Sequence, residues 1–287
     1  MKIALIVNFD KNGAASTAEK IIALLSAEDC EVLMLNSEFS QSLHNVKVFD
    51  NHTDLVSSCD VLLTVGGDGT IIHCAKHAAA FSKPILGINT GRLGYVAELE
   101  ADETDMLKSL LKGEYSIESR LILSVNVNRS NGDCESYTAI NDAVISRGAL
   151  SRIIDLDVKI DGSPVSSYRA DGILLASPTG STAYALSAGG PIIAPNLKCF
   201  ELVPICSHAL SAKCVMLSED SSVEIKASSP DGKSYLTIDG QISVELSDDD
   251  TVKVKSSEQT LDMIVLKKRN FFKLAGEKLR EVSVNEA

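Results

Sequence analysis

A chain of 287 residues, 45% of them hydrophobic, can bury one large core or two moderate ones, and two domains is the expectation at this length. Its formal net charge of −12 argues against partners held by basic surface, which sets aside nucleic acid and anionic membranes. No apolar run is long enough to cross a bilayer and no charged leader precedes the first strand-like segment, so a soluble, cytoplasmic protein is expected. The seven cysteines are scattered and include no Cys-x-x-Cys pair, which predicts reduced thiols in place of disulfides or a thiolate zinc site.

In chain order, Lys2 to Phe9 is a near-continuous apolar run, a polar loop follows at Asp10-Lys11-Asn12-Gly13, and Ala18 to Leu25 has helical spacing. Further buried strands are predicted at Glu31 to Leu35, Val61 to Val65 and Pro84 to Ile88, with helices near Ile71 to Ala80 and Asp102 to Lys112. Apolar strands alternating with helices imply an α/β domain with a parallel sheet, assigned to residues 1–114. After Gly113 the pattern becomes short and β-rich: LILSVNVN, YTAINDAVIS, IIDLDVKI, GILLAS, SVEIKA, YLTID and TVKVK, with hairpin dipeptides at Asn131-Gly132, Asp161-Gly162 and Asp231-Gly232. Residues 115–269 are therefore expected to form a mainly β domain, layered or sandwich-like, with one short helical insertion at Ser181 to Ala188. A last helix, within 270–287, is expected to pack back on the first domain.

An acidic protein that takes a phosphate-bearing substrate must meet that charge locally, through backbone N–H groups, a few arginines or a metal ion. Thr64-Val65-Gly66-Gly67-Asp68-Gly69-Thr70 is suited to this, because it joins the end of a buried strand to the start of a helix. Gly66, Gly67 and Gly69 keep side chains away from a polyphosphate, and the helix from Thr70 adds free N–H donors and partial positive charge. Asp68 repels phosphate, so its carboxylate is better used as a base for an attacking hydroxyl or as a ligand for a metal on the phosphates; the structural alternative is a helix cap. The stretch lacks the Gly-Lys-Ser/Thr of a P-loop, and no Gly-x-Gly-x-x-Gly opens the first helix, which disfavours a dinucleotide dehydrogenase.

Arg92 and Tyr95 lie in a glycine-punctuated loop after the fourth strand and are candidates to line the same cleft. Asn141-Asp142 offers an amide able to read an adenine edge and a carboxylate able to hold ribose hydroxyls. A third cluster runs from Arg169-Ala170-Asp171-Gly172 through Ser177-Pro178-Thr179-Gly180-Ser181-Thr182-Ala183-Tyr184 to Ser187-Ala188-Gly189-Gly190-Pro191; its small and hydroxylated residues can surround a ligand, with Tyr184 as a flat wall. His73 and His77 share a helix face at i and i+4, but the sequence offers no evident third ligand, so surface or cleft-lining histidines are expected in place of a zinc site. Asp248-Asp249-Asp250 is read as an exposed turn in preference to a calcium loop.

Together, GGDGT at 66–70, the Asn-acidic pair at 141–142, PTGSTAY at 178–184 and SAGGP at 187–191 resemble the NAD kinase family in order and spacing, over nearly the whole chain. The resemblance implies an N-terminal α/β domain, a β-rich C-terminal domain, and NAD bound between them in a homodimer or homotetramer. It further implies ATP as donor, a divalent cation, Mg2+, carried with the ATP, and no nucleic-acid or membrane partner. On the family's pattern Asp68 would accept the proton, and Gly66, Gly67, Gly69 and Thr70 would hold phosphate, Gly69 touching the dinucleotide as well. Asn141 and Asp142 would bind the adenosine portion, Thr182, Ala183, Tyr184, Ala185, Leu186 and Ser187 would line the pocket, and Asp171 would sit near the nicotinamide end. His73, Arg152, Arg169 and Gln241 match further ligand contacts, and no metal-binding side chain is assigned. Many relatives have Glu where this chain has Asp142 and Phe where it has Tyr95.

The enzymatic alternative is a diacylglycerol-type lipid kinase, which needs a membrane-seeking basic or aromatic surface; the −12 charge and the absence of Trp oppose it. A sugar-phosphate kinase would need a cationic cluster for its acceptor. A non-catalytic nucleotide sensor would keep the adenosine residues but has no use for Asp68.

Overall fold

The apolar runs of the N-terminal segment pair side by side as parallel strands in the order Ile85–Asn89, Val61–Gly66, Lys2–Val7, Glu31–Leu35, Val46–Phe49. Val61–Gly66 and Ile85–Asn89 are buried along their whole length, as expected of central strands covered by helices on both faces. Val46–Phe49 is not among the predicted strands: it closes one edge of this run, it is only partly buried, and its short VKVF segment carries little apolar signal. The helix Ala14–Ala27 buries Ala14, Ala18, Ile21, Ile22 and Leu25, the spacing that turns one helical face to the sheet. The helix Asp68–Ala80 begins three residues before the predicted start, so the glycine-rich stretch forms its first turn. The predicted 102–112 helix is a 3-10 turn, Thr104–Met106, followed by Leu107–Leu111.

The computed structural model describes residues 1–91, 94–148, 152–208, 212–230, 233–267 and 270–285, and side chains up to residue 280. The chain divides into two units, Met1–Ser119 with Leu261–Ala287, and Arg120–Thr260. The divisions fall inside the strands Ser116–Asn128 and Thr251–Val265, not at 114/115 and 269/270. Each strand runs through its division uninterrupted, and a continuous strand gives no change of composition at the crossing. The final helix, Phe271–Asn285, falls in the first unit. No helix among the described residues is long and apolar enough to cross a membrane.

The second unit holds an antiparallel sheet of six strands, in the order Val215–Ser218, Cys199–Ile205, Gly172–Ala176, Asp142–Arg147, Ser234–Ile238, Ile242–Leu246. Opposite it, Ile154–Ile160 pairs with Ser163–Ala170 on one side and with Ser222–Ser228 on the other, while Ser116–Asn128 and Cys134–Ala139 form a hairpin. Alternation sorts the six-stranded sheet's two faces: Ile173 and Leu175 enter the core shared with Leu156, Val158 and Ile225, a sandwich, whereas Leu174 and Ala176 pack with Val144, Val203 and Ala185. The predicted continuous segment YTAINDAVIS is two strands, Cys134–Ala139 and Asp142–Arg147, broken at Ile140-Asn141. Of the predicted turns, Asp161-Gly162 has both residues at positive φ (50° and 77°), as a two-residue hairpin requires, and Asp231-Gly232 lies outside the described residues.

Candidate active site

Strand order in the first unit reverses between Lys2–Val7 and Val61–Gly66, and in open α/β sheets ligands bind beyond the carboxyl ends of the strands at such a point. A cavity of about 480 Å³ lies there, lined by residues 6–10, Gly69, Thr70, His73 and Cys74. Asn8 ties the two strand ends together, its N–H donating to Val65 O (2.9 Å) and its amide to Thr70 Oγ1 (3.1 Å). The helix begins at Gly67 with no side-chain cap, so the first-turn N–H groups of Asp68–Ala80 are not taken by a capping side chain.

Asp68 stands at the head of that helix, and its carboxylate is held by the loop after Ile85–Asn89: Tyr95 N–H donates to Oδ2 (2.7 Å) and Val96 N–H to Oδ1 (3.2 Å). Asp68 is therefore not the helix cap; it is clamped by a neighbouring loop, and each oxygen keeps a further acceptor position. Gly94 makes the clamp possible, since a methyl group there would sit 1.9 Å from Asp68 Oδ1. The motif's glycines divide in function. A Cβ on Gly66 would collide with Thr70 Oγ1 at 2.5 Å, whereas Cβ atoms on Gly67 and Gly69 would meet nothing within 4 Å, which leaves backbone open to a ligand only at the latter two. Arg92 lies outside the described residues.

In the second unit Asn141, Asp142, Val144, Ser146, Ala183, Tyr184, Thr237, Asp239 and Gly240 line a cavity of about 410 Å³. Asp239 organises its floor, accepting from the N–H groups of Ile140 (3.0 Å), Asn141 (2.7 Å) and Asp142 (3.0 Å) from a backbone at positive φ (49°). Asn141 Oδ1 is buried with no partner among the described residues. Asp142 is 95% buried, and Tyr184 is exposed at the cavity's side. Ser177 accepts from Gly180 N–H and donates to Ile140 O, and Gly180 packs so closely that a Cβ would lie 2.1 Å from Asn141 O. Ser177 and Ser181 brace the loop, and contact with the cavity falls to Ala183 and Tyr184.

The other sequence candidates are dispersed. Thr182 Oγ1 is aimed at Thr179 O (3.4 Å), Ala185 is buried in the apolar layer, Leu186 is half-buried and Ser187 is exposed. Arg169 pairs with Asp155 across an exposed ladder (3.1 Å), and Arg152 is exposed. Asp171 is bonded by Arg147 Nε (2.7 Å), and Gln241 follows Gly240 at the cavity's rim. Asp239, Gly94 and Asn8 escaped the sequence reading. For Asp239 a signal existed, an Asp-Gly dipeptide closing the YLTID strand.

The expectation that His73 and His77 lack a third partner is corrected: His52, the first residue of the helix His52–Ser58, joins them, and the three imidazoles have ligand nitrogens within 4.8 Å of one another. Burial, then the charge of His73, holds His52 below the usual imidazole value; for His77 burial comes first, followed by His52, His73 and Lys76. The Asp248-Asp249-Asp250 turn is exposed in part only, because Asp250 is buried and bonded by Arg129 Nη1 (2.8 Å).

Comparison with known proteins covers both units. The ATP-NAD kinase N-terminal domain model matches residues 3–115 and the ATP-NAD kinase C-terminal domain model residues 140–266. The NAD kinase of Natranaerobius thermophilus is 36% identical over 279 residues, covering 96% of this chain and 97% of that protein. That of Geobacter sulfurreducens is 38% identical over 228 residues, 79% and 80% of the two chains. Among solved structures, yeast NADH kinase complexed with NADH matches with a TM-score of 0.87 at 25% identity, covering 98% of this chain and 87% of that one. An NAD kinase from Archaeoglobus fulgidus in complex with ATP matches with a TM-score of 0.76 at 25% identity, covering 98% and 99%.

Proposed function

Since the chain belongs to the NAD kinase family, we propose that it transfers the γ-phosphoryl group of ATP to the 2′-hydroxyl of the adenosine ribose of NAD, giving NADP and ADP. The observation that carries the mechanism is the clamped Asp68 carboxylate at a helix head beside backbone free of side chains. A bond forms from the 2′-oxygen to the γ-phosphorus as the bond from that phosphorus to the β-phosphate oxygen breaks, and the hydroxyl proton passes to Asp68. Gly67, Gly69 and the first-turn N–H groups of Asp68–Ala80 receive phosphate charge, and Mg2+ enters with ATP as part of the donor. Asn141 and Asp142 hold the adenosine moiety beside Tyr184, with Asp239 fixing their backbone. The enzyme is proposed to act in the cytoplasm as a homodimer or homotetramer, in keeping with its acidic surface and with the closed symmetry of most soluble oligomers.

Incubation of the purified chain with ATP, Mg2+ and NAD, with product read by an NADP-specific dehydrogenase, tests the reading. Turnover of diacylglycerol with none of NAD would refute it. Two substitutions examine its parts. Asp142→Ala removes an acceptor for ribose hydroxyls, so KM for NAD should rise by the equivalent of about 1.5–3 kcal/mol, with a smaller fall in kcat as the ribose tilts out of line. Gly94→Ala forces its methyl onto Asp68, and a displacement of this size should slow single-turnover transfer about 10²-fold while NAD affinity, measured by calorimetry, is retained.

A further inference from the structure

The helices His52–Ser58 and Asp68–Ala80 bring together a group of side chains that the kinase reaction leaves largely unused. His73 and His77 stand one turn apart on the longer helix, and His52 opens the shorter one. The rings of His52 and His77 are stacked with centroids 4.8 Å apart and planes 12° from parallel, and His73 meets each edge-on, at 5.9 and 6.0 Å. Three imidazoles around one point, each offering a nitrogen within 4.8 Å of the others, form a ligand set and not only an aromatic stack. We propose that His52, His73 and His77 bind a late first-row divalent metal ion, Zn2+ being the expected occupant, as a three-histidine centre with one coordination position open.

Geometry and ligand chemistry fix the class of metal. At zinc–nitrogen distances of about 2.0–2.1 Å, tetrahedral ligands lie about 3.4 Å apart, so binding an ion draws the three nitrogens together and turns the His52 and His77 rings out of their near-parallel stack. Imidazole suits Zn2+, Co2+, Ni2+ and Cu2+, whereas Mg2+ and Ca2+ take oxygen ligands, so this ion is distinct from the one carried with ATP. With three neutral ligands the centre keeps its full double positive charge, and its fourth position favours water, hydroxide or another anionic oxygen. His73 also lines the cavity that contains Gly69 and Thr70, which puts one ligand at the wall of the phosphate-binding region.

The test uses the intact, EDTA-treated and fully reduced protein. Calorimetric titration with Zn2+ should show one ion per chain bound with a micromolar or tighter Kd, and Co2+ should give intense visible bands of low-symmetry nitrogen coordination without the near-ultraviolet thiolate charge-transfer band that cysteine ligation produces. Loss of an outer hydrogen bond alone weakens metal sites by about 10–100-fold, so His52→Ala and His77→Ala should each weaken binding by more than about 100-fold. His44→Ala, which replaces an exposed histidine outside the cluster, should bind as the parent does. Circular dichroism of each variant establishes that it is folded. Absence of Zn2+ binding, equal affinity in folded His52→Ala and His77→Ala, or a thiolate band with Co2+ would each overturn the proposal.

Discussion

Asp68→Asn is expected to lower kcat by about 10²–10⁴-fold and to leave NAD bound. An amide matches the carboxylate in size but cannot take the proton from the ribose hydroxyl. It also cannot satisfy both N–H groups of the clamp. Tyr95 N–H and Val96 N–H donate to different oxygens, so the amide accepts from one and turns its own NH2 toward the other. The loop should therefore loosen by roughly 1–3 kcal/mol, the cost of a buried donor left unmade, on top of the lost proton acceptor. Single-turnover transfer and calorimetric binding separate the two effects. If Asp68→Asn abolished NAD binding while the residual complex reacted at the parent's rate, Asp68 would be a structural residue and the proposed chemistry would fail.

The second large effect concerns stability. Glu201 lies in Cys199–Ile205 on the face that it shares with Val203 and Ile205, fully buried against an apolar layer, and neither carboxylate oxygen has a partner among the described residues. Loss of solvation pushes its carboxyl up from 4.5 to about 7. Well below pH 4.5 the group is neutral in both folded and unfolded chains, and no penalty for burying a charge arises. As pH rises toward 7 the unfolded chain releases the proton first, so stability falls; above about 7 the full penalty remains, at most about 3 kcal/mol at 1.36 kcal/mol per pKa unit. Glu201→Gln should accordingly raise the melting temperature at pH 8, with the pH-dependent part of the gain vanishing below about pH 4. Parallel pH profiles for the two proteins would show that Glu201 is not the group responsible.

What could be read in advance was local. The uninterrupted apolar run Val61–Gly66 ending in glycines announces a buried strand that feeds a helix, and that junction lies at the sheet's reversal point. What could not be read depends on contacts between distant segments. YTAINDAVIS looks like one strand because nothing within it marks the break; the break is held by Asp239, about a hundred positions later, which takes three successive backbone N–H groups. The strand Cys199–Ile205 is hidden in the sequence because Glu201 and Pro204 interrupt its apolar pattern, and burial of that Glu raises its carboxyl to about 7. Gly94 reads as an ordinary loop glycine until Asp68 is placed beside it. The third histidine lies on another helix, and no i, i+4 rule reaches it.

If Asp68 prepares a ribose hydroxyl for attack, the phosphoryl group arrives at one defined oxygen. The most direct measurement is the position of the transferred phosphate, obtained by phosphorus–proton correlation NMR on the product of a complete turnover of NAD with ATP and Mg2+. Coupling of the new phosphorus to the adenosine ribose H2′ alone is expected; phosphate on the 3′-oxygen or on the nicotinamide ribose, or the absence of any phosphorylated dinucleotide, would overturn the proposed chemistry.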